Sequence, residues 1–327
     1  MSIKEKLKNC YSSNEHHEII NLKECCPWCK STQFTLYIEA RDWRHSIPGT
    51  FRLYTCNRCG LVKQIPTPSW ERISTYYPDD YVAFQETSQE ESWFSNTIKR
   101  VGYSERIRLV NSYKNGVEWL DVGCGTGEFL GYLQQFEEWN LYGLEPIKEA
   151  AQRAEERTNI PIIKTAFENI SGFDENFFDV ITMWEVIEHL YNPILAIETA
   201  SKILKPGGIL IMSTPNLLSL DRLIFKKYWA GYDLPRHLHL FPTSTLKNIC
   251  DSNNLACLQT ICLGGSYTAW LIGLQSWNTK MNSRIIQFLL SSNVIKYLMQ
   301  IATYLPRKIL HSLKKGTSIT YVFRKNE

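Results

Sequence analysis

The segment WLDVGCGTGEFL, Trp119 to Leu130, constrains this chain more than any other. An apolar run from Val117 to Val122 carries Asp121 near its end and breaks at once into Gly123, Gly125 and Gly127. Apolar residues resume at Phe129, Leu130 and Leu133, at helical spacing. A strand, a glycine turn and a helix in that order form the nucleotide-binding corner of a doubly wound sheet. Glycines there let the backbone approach a ligand that a Cβ would block. The pattern is D-x-G-x-G-x-G with the acid on the strand, which differs from the G-x-G-x-x-G of dinucleotide-binding turns.

A second short apolar run, Leu141 to Leu144, ends at Glu145, twenty-four residues after Asp121. An acid at the tip of a second strand can accept two hydrogen bonds from a ribose diol. Helical residues Lys148 to Arg157 follow, then a third strand candidate at Ile160 to Lys164. The stretches Phe177 to Pro193 and Leu204 to Asn216 add two more strands with a helix between them. This alternation predicts an α/β fold with a doubly wound, mostly parallel sheet.

On these residues, Trp119 to Asn216, the chain resembles the class I S-adenosylmethionine (SAM) methyltransferases. It is most similar to the ubiquinone-biosynthesis O-methyltransferases and to methyltransferases of polysaccharide and sugar-modification pathways. The resemblance implies a seven-stranded sheet and SAM as cofactor. It also implies O-methylation of a small or lipid-linked acceptor, such as a sugar or polysaccharide precursor. Asp121, Gly123, Gly125 and Gly127 would then hold the methionine end of SAM and Glu145 the ribose, with Ala166 and Phe167 flanking the adenine. Many relatives place an Asp near Ala166, whereas here Thr165, Ala166 and Phe167 are followed by Glu168. The adenine contact therefore falls to the backbone or to Glu168. Trp184, at the end of the fourth strand, either faces the SAM methionine or the acceptor, or packs in the core.

Ten cysteines without an export signal call for an explanation other than disulfides. Cys26-Pro-Trp-Cys29 and Cys56-Asn-Arg-Cys59 are two CxxC knuckles with twenty-six residues between them. Each can offer a pair of thiolates to a tetrahedral Cys₄ zinc site. Alternating apolar residues between them (Phe34, Leu36, Ile38, then Phe51, Leu53) suggest a small hairpin held by a structural Zn²⁺. Cys25 adjoins Cys26, but only Cys26 makes the CxxC turn. Cys10, Cys124, Cys250, Cys257 and Cys262 read as small apolar fillers.

Two groups of titratable residues follow the later strands. Glu185, Glu188 and His189 form E-x-x-E-H at the carboxyl end of the fourth strand, where open α/β sheets bind ligands. By resemblance this trio is a divalent-metal site, with Mg²⁺ orienting the acceptor. The alternative is a set of hydrogen bonds to the turn before Pro193. The second group is YDLPRHLHLF, Tyr232 to Phe241. His237 and His239 are candidate bases alongside His189, because imidazole titrates near neutral pH. Arg236 is a candidate for a phosphate or carboxylate on the acceptor. The alternation of HLHLF also predicts that one of its two histidines points inward.

The domain reading has an N-terminal extension over 1–20, a zinc ribbon over 21–65, and a linker with a helical lead-in over 66–110. The SAM-binding domain takes 111–327, with 217–245 and 264–315 as acceptor-side lids. Tyr76 to Phe84 resembles the linker of the polysaccharide-pathway enzymes. A ribosomal-RNA methyltransferase gripping RNA through its ribbon is the first alternative. The acidic, tyrosine-rich stretch Glu71 to Glu91 and a net charge of +3 speak against it. A non-catalytic SAM-binding scaffold is the second. The first twenty residues are mixed polar and no apolar run reaches about eighteen residues, so a cytoplasmic location is expected.

The tail is unusual in charge. From Ser252 to Asn326 there is no Asp or Glu, against nine Lys or Arg. Arg284 to Leu305 reads as one helix, with Ile285, Phe288, Leu289, Ile295, Leu298, Ile301 and Tyr304 on a broad apolar face. Such a helix in a basic setting suits peripheral contact with the inner face of a membrane. A pocket cover or a dimer interface is the alternative. Gly316 to Asn326 alternates as a strand, expected antiparallel and last in the sheet.

Overall fold

The computed structural model describes residues 20–21, 23–45, 48–76, 93–113, 116–136, 139–263 and 266–327. The expected extension, apart from Ile20, and residues 77–92 of the expected linker lie outside them. Among the described residues the chain builds two sheets. The first begins with β1 (Ile20–Asn21), β2 (Gln33–Ala40), β3 (Phe51–Cys56) and β4 (Val62–Gln64), an antiparallel meander. Helices α1 (Trp70–Ser74) and α2 (Trp93–Asn111) follow.

Strands and helices then alternate as the hydrophobic pattern requires: β5 (Glu118–Val122), α3 (Glu128–Leu133), β6 (Asn140–Leu144), α4 (Lys148–Thr158), β7 (Ile162–Ile163), β8 (Phe178–Trp184), α5 (Pro193–Ile203) and β9 (Leu204–Pro215). The start of α5 is set locally, by Pro193 in its first turn and by the Asn192 side chain accepting from the Leu195 N–H. Beyond β9 come α6 (Leu220–Phe225), β10 (His239–Leu240), α7 (Thr243–Asp251), β11 (Leu255–Ile261) and α8 (Ser266–Met281). Three short helices, α9 (Arg284–Ser291), α10 (Asn293–Ala302) and α11 (Tyr304–Ser312), lead to β12 (Ser318–Lys325).

The second sheet has seven strands in the order β11-β12-β9-β8-β5-β6-β7. Pairs from β9 to β7 are parallel, and β12 runs antiparallel to both of its neighbours. The doubly wound expectation holds. The final strand is antiparallel as expected, yet it sits between β9 and β11 and not at the edge. Chain order reverses at β5, which has β6 on one side and β8 on the other, so a crevice opens at their carboxyl ends. Alternation along the strands buries both faces. Leu120, Val122, Met183 and Met212 point to one cluster, and Trp119, Val180, Ile209 and Ile211 to the other.

Three differences from the sequence reading bear on function. First, β10 leaves the expected lid and pairs with β4, His239 opposite Lys63 and Leu240 opposite Val62. An open strand edge and an alternating HLHL segment satisfy each other's backbone groups. Second, Cys26, Phe34, Tyr54, Cys56 and Leu61 share one apolar cluster with Phe241, Leu246 and the main sheet. The ribbon thus leans on the core. Third, the single helix expected over Arg284 to Leu305 is three helices, with a bend of 93° between α9 and α10. Ser292 caps α10 by accepting from the Ile295 N–H, which ends one helix and starts the next.

Candidate active site and cysteine cluster

The glycine loop leaves β5 at the switch point. Gly123, Gly125 and Gly127 have φ of 69°, 56° and 75°, the left-handed region that favours glycine. A Cβ on Gly127 would stand 2.9 Å from the Cα of Ala154, so this glycine lets α3 and α4 pack closely. A Cβ on Gly123 would meet Val186 at 2.6 Å. Asp121 is buried beneath the loop and accepts from Thr182 Oγ1 at 2.7 Å. Burial pushes its carboxyl up to about 6, against the lowering effects of Thr182 and Arg106.

Glu145 closes the other side of the crevice. Its Oε2 accepts from Gly125 N–H and its Oε1 from Ile147 N–H, both at 3.0 Å. A carboxylate oxygen has two lone pairs, so each retains one for a diol. Burial pushes this carboxyl up to about 7, although the two amide bonds oppose it.

The adenine side differs from expectation. Phe167 is only 1% exposed, with its ring in the core cluster, so it anchors the turn after β7 and does not offer a face to adenine. Ala166 is half-buried at the start of that turn. Glu168, next along, has a buried Oε2 without a hydrogen-bond partner among the described residues, an acceptor suited to an exocyclic amine.

Trp184 ends β8 and stands T-shaped on Phe129, and its indole N–H has no partner among the described residues. Arg106 of α2 lies over its ring at 4.4 Å. Sequence reading missed Arg106, because nothing in a polar helix marks one arginine among several. Burial lowers its pKa, while Asp121, Tyr103 and Glu185 support its charge. Arg106 is thus a poorly solvated cation stacked on Phe129 and Trp184, with Asp121 and Glu185 near its charge.

The histidines separate. His239 lies buried in β10, within the ribbon sheet, and burial pushes it down to about 3. Its place in the ribbon sheet, opposite Lys63 of β4, takes it out of the crevice, a correction to the sequence reading. His189 and His237 do meet, with ring centroids 4.6 Å apart. His189 Nδ1 donates to the Arg236 carbonyl at 3.0 Å and His237 Nδ1 to the Gly231 carbonyl at 2.9 Å. Burial lowers both pKa values, His189 to about 3, so both rings are neutral at pH 7. A neutral ring that donates from Nδ1 leaves a lone pair on Nε2.

Glu188 is fully buried, with Glu185 and Thr214 beside its carboxyl. Burial, and then Glu185, raises its pKa well above normal. Donor atoms of Glu188, His189 and His237 lie within 4.8 Å of one another, and Glu185 is not in that cluster. Glu185 instead adopts a φ of 57° at the end of β8 and donates its N–H to Ser213. Strained backbone of this kind concentrates at functional sites.

Arg236 has no exposed surface. It makes two hydrogen bonds with Asp42 and two with Asp233, and a fifth reaches the Tyr76 carbonyl. Burial opposes its charge, but the two acids hold the pKa above normal. It is a structural clamp and cannot reach an acceptor, which corrects the sequence reading.

In the ribbon, Cys26 Sγ lies 3.5 Å from Cys59 Sγ, and Cys29 Sγ lies 3.4 Å from Cys56 Sγ. Each knuckle closes with a backbone bond, Lys30 N–H to Cys26 carbonyl and Gly60 N–H to Cys56 carbonyl, and ends on a residue of positive φ. Four sulfurs on Zn–S bonds near 2.3 Å would have edges of about 3.8 Å. The donor set fits that ion. A hydrogen bond with Cys59 holds the Cys26 thiol down at about 5. Cys25 points to solvent.

A cleft of about 480 Å³ opens between the ribbon hairpin, the segment after α6 and the end of α8. Trp43, Tyr228, Arg41, Lys227 and Lys280 are among its lining residues, and no glycine-loop residue lines it.

Fold and crevice together define a SAM-dependent methyltransferase. The family model described as a methyltransferase domain matches residues 89–260, more than half of the chain, and the chain belongs to that family. The ubiquinone biosynthesis O-methyltransferase of Actinobacillus pleuropneumoniae serotype 7 (strain AP76) is 33% identical over 170 residues, 46% of this chain and 72% of that protein. The mitochondrial ubiquinone biosynthesis O-methyltransferase of Dictyostelium discoideum is 32% identical over 190 residues, 49% of this chain and 59% of that one. Among solved structures, the N-methyltransferase NodS from Bradyrhizobium japonicum WM9, in complex with S-adenosyl-L-homocysteine, covers 75% of this chain and 97% of its own, with 16% identity and a TM-score of 0.46.

Proposed function

We propose that this methyltransferase O-methylates a small or lipid-linked acceptor, a sugar or polysaccharide precursor, with a histidine as base. The observation that carries the reading is the neutral imidazole of His237, whose Nδ1 is committed to the Gly231 carbonyl so that its Nε2 keeps a lone pair, with the His189 ring beside it. Glu145 would accept the ribose diol, Arg106 would meet the methionine carboxylate, and Glu168 would take the adenine amine. SAM supplies an activated methyl group. The acceptor hydroxyl passes its proton to Nε2 as its oxygen bonds the methyl carbon. The carbon–sulfur electrons return to sulfur, leaving a neutral thioether.

Cys26, Cys29, Cys56 and Cys59 would hold one structural Zn²⁺. Two imidazoles and one carboxyl suit a borderline ion better than Mg²⁺, which prefers oxygen ligands. Turnover that does not depend on added Mg²⁺ is the expected result.

The test is transfer of a deuterated methyl group to nucleotide-linked and lipid-linked sugars and to a catechol, read by mass spectrometry. Methylation of the catechol alone would overturn the sugar reading. Salt-sensitive RNA binding with a slope of several charges would favour the RNA alternative. SAM binding without transfer to any acceptor would leave the scaffold.

A further inference from the structure

The tail carries a surface that the methyltransferase core does not use. No residue of α9 or α11 is buried, although both are rich in large apolar side chains. Ile285 is 73% exposed, Val294 68%, Leu305 67% and Phe288 65%. Leu289, by contrast, is half-buried. Lone exposed apolar residues need no explanation, but this many along consecutive helices mark an interaction surface. Inward-facing contacts still place the segment. Tyr267 of α8 donates to the Lys296 carbonyl, and Ser283 caps α9.

Charge selects the occupant. The stretch from Ser252 to Asn326 has nine basic residues and no acid. Its only ion pair among the described residues is Lys308 with Glu105, at 2.9 Å. A second copy docking through the same patch would set like charges against each other across a two-fold axis. An anionic lipid surface complements both the charge and the apolar face. Helices of 8, 10 and 9 residues, bent by 93° between the first two, are each too short to cross a bilayer. They suit burial at the headgroup boundary.

We propose that α9, α10 and α11 seat this enzyme on an anionic membrane surface, with Ile285, Phe288, Val294 and Leu305 entering the headgroup boundary. Position in the fold gives this a functional sense. Thr320 of β12 pairs with Ile261, the last residue of β11, and Ser318 pairs with Pro215, the last of β9. The α8–α11 insertion therefore leaves the sheet at the carboxyl edge, where β8 delivers Trp184 and Glu185. Resting on the acceptor reading above, docking in this way brings a lipid-linked acceptor to the enzyme from the bilayer.

The experiment is flotation of the full chain with phosphatidylcholine vesicles, with and without phosphatidylglycerol. Binding to the anionic vesicles that falls with added salt is expected, with little binding to neutral ones. Each cation near the surface contributes about fivefold in partitioning, so Arg284→Glu with Lys296→Glu should lower binding by more than tenfold. Ile285→Asp with Phe288→Asp should do the same without loss of fold, since both side chains are already in water. SAM affinity, measured on the same samples, should be unchanged in all of them, which separates this test from failure of the methyltransferase reading. A wild type that ignores both vesicle types overturns the proposal, as do variants that bind like wild type. A dimer dispersed by Ile285→Asp, without vesicle binding, assigns the face to a second copy and overturns it too.

Discussion

Arg236 meets Asp42 across 194 residues of chain through two hydrogen bonds, at 3.0 and 3.1 Å, with neither side chain exposed. Asp233 and the Tyr76 carbonyl complete the set, so one guanidinium joins ribbon, linker and the segment before β10. Removing one member of a buried pair strands the other charge, at about 3–5 kcal/mol. Arg236→Ala should therefore lower the melting temperature steeply, and Arg236→Lys should restore little because Lys lacks the fork. A variant of wild-type stability with a raised acceptor KM would instead make Arg236 a substrate contact.

Glu145→Ala should weaken SAM binding about tenfold to a hundredfold by calorimetry, the range expected for lost hydrogen bonds to a charged acceptor. The pH dependence has a defined sign. With the carboxyl pushed up to about 7, affinity should fall as pH drops from 8 to 6, because the protonated acid offers the diol fewer acceptors. Asp121 at about 6 and Glu145 at about 7 both hold protons that the unfolded chain releases near pH 4. Stability of the free protein should thus decline as pH rises between about 4 and 7. The cationic cofactor offsets those carboxylates, so its thermal shift should be larger at pH 8 than at pH 5.5.

Arg106→Met keeps much of the bulk over Trp184 and removes the charge. Loss of about tenfold or more in SAM affinity is expected, with smaller loss for adenosine, which has no carboxylate. Equal losses for both ligands would show that Arg106 only packs Trp184.

His237→Gln should cost about a hundredfold or more in turnover while SAM affinity holds. His239→Gln should change stability and leave kcat nearly untouched, because its ring is inside the ribbon sheet. The reverse result would move the base to the ribbon. If both retain full rate, His189→Gln is the remaining test of a histidine base.

Metal analysis should find one zinc per chain, lost in Cys26→Ser with Cys29→Ser. Since the ribbon shares its core with Phe241 and Leu246, that loss should also lower the melting temperature of the whole protein. Four freely titrating thiols in metal-free, fully stable protein would remove the ribbon's zinc.

Local pattern was enough for much of this protein. An apolar strand ending on Asp121 and Val122, glycines at three alternate positions and a helix that resumes with Phe129, Leu130 and Leu133 define the Asp121–Gly127 loop locally, because steric rules act between near neighbours. Two CxxC turns likewise carry their own geometry, and Cys26 rather than Cys25 follows from the spacing alone. What tertiary structure decided is the fate of groups whose partners lie far along the chain. Arg236 and His239 look like site residues in a row of polar and aromatic letters, yet Asp42 and the open edge of β4 claim them. Arg106, silent in sequence, gains its meaning from Trp184 and Asp121, which packing alone brings beside it. The tail shows the same division: its apolar and basic composition was plain, but the Ser292 cap and the contacts of α8 set the bend that leaves Ile285 and Phe288 in water. Propensity acts over a few residues, whereas burial and charge pairing act wherever the fold makes neighbours, and these latter forces assigned the roles.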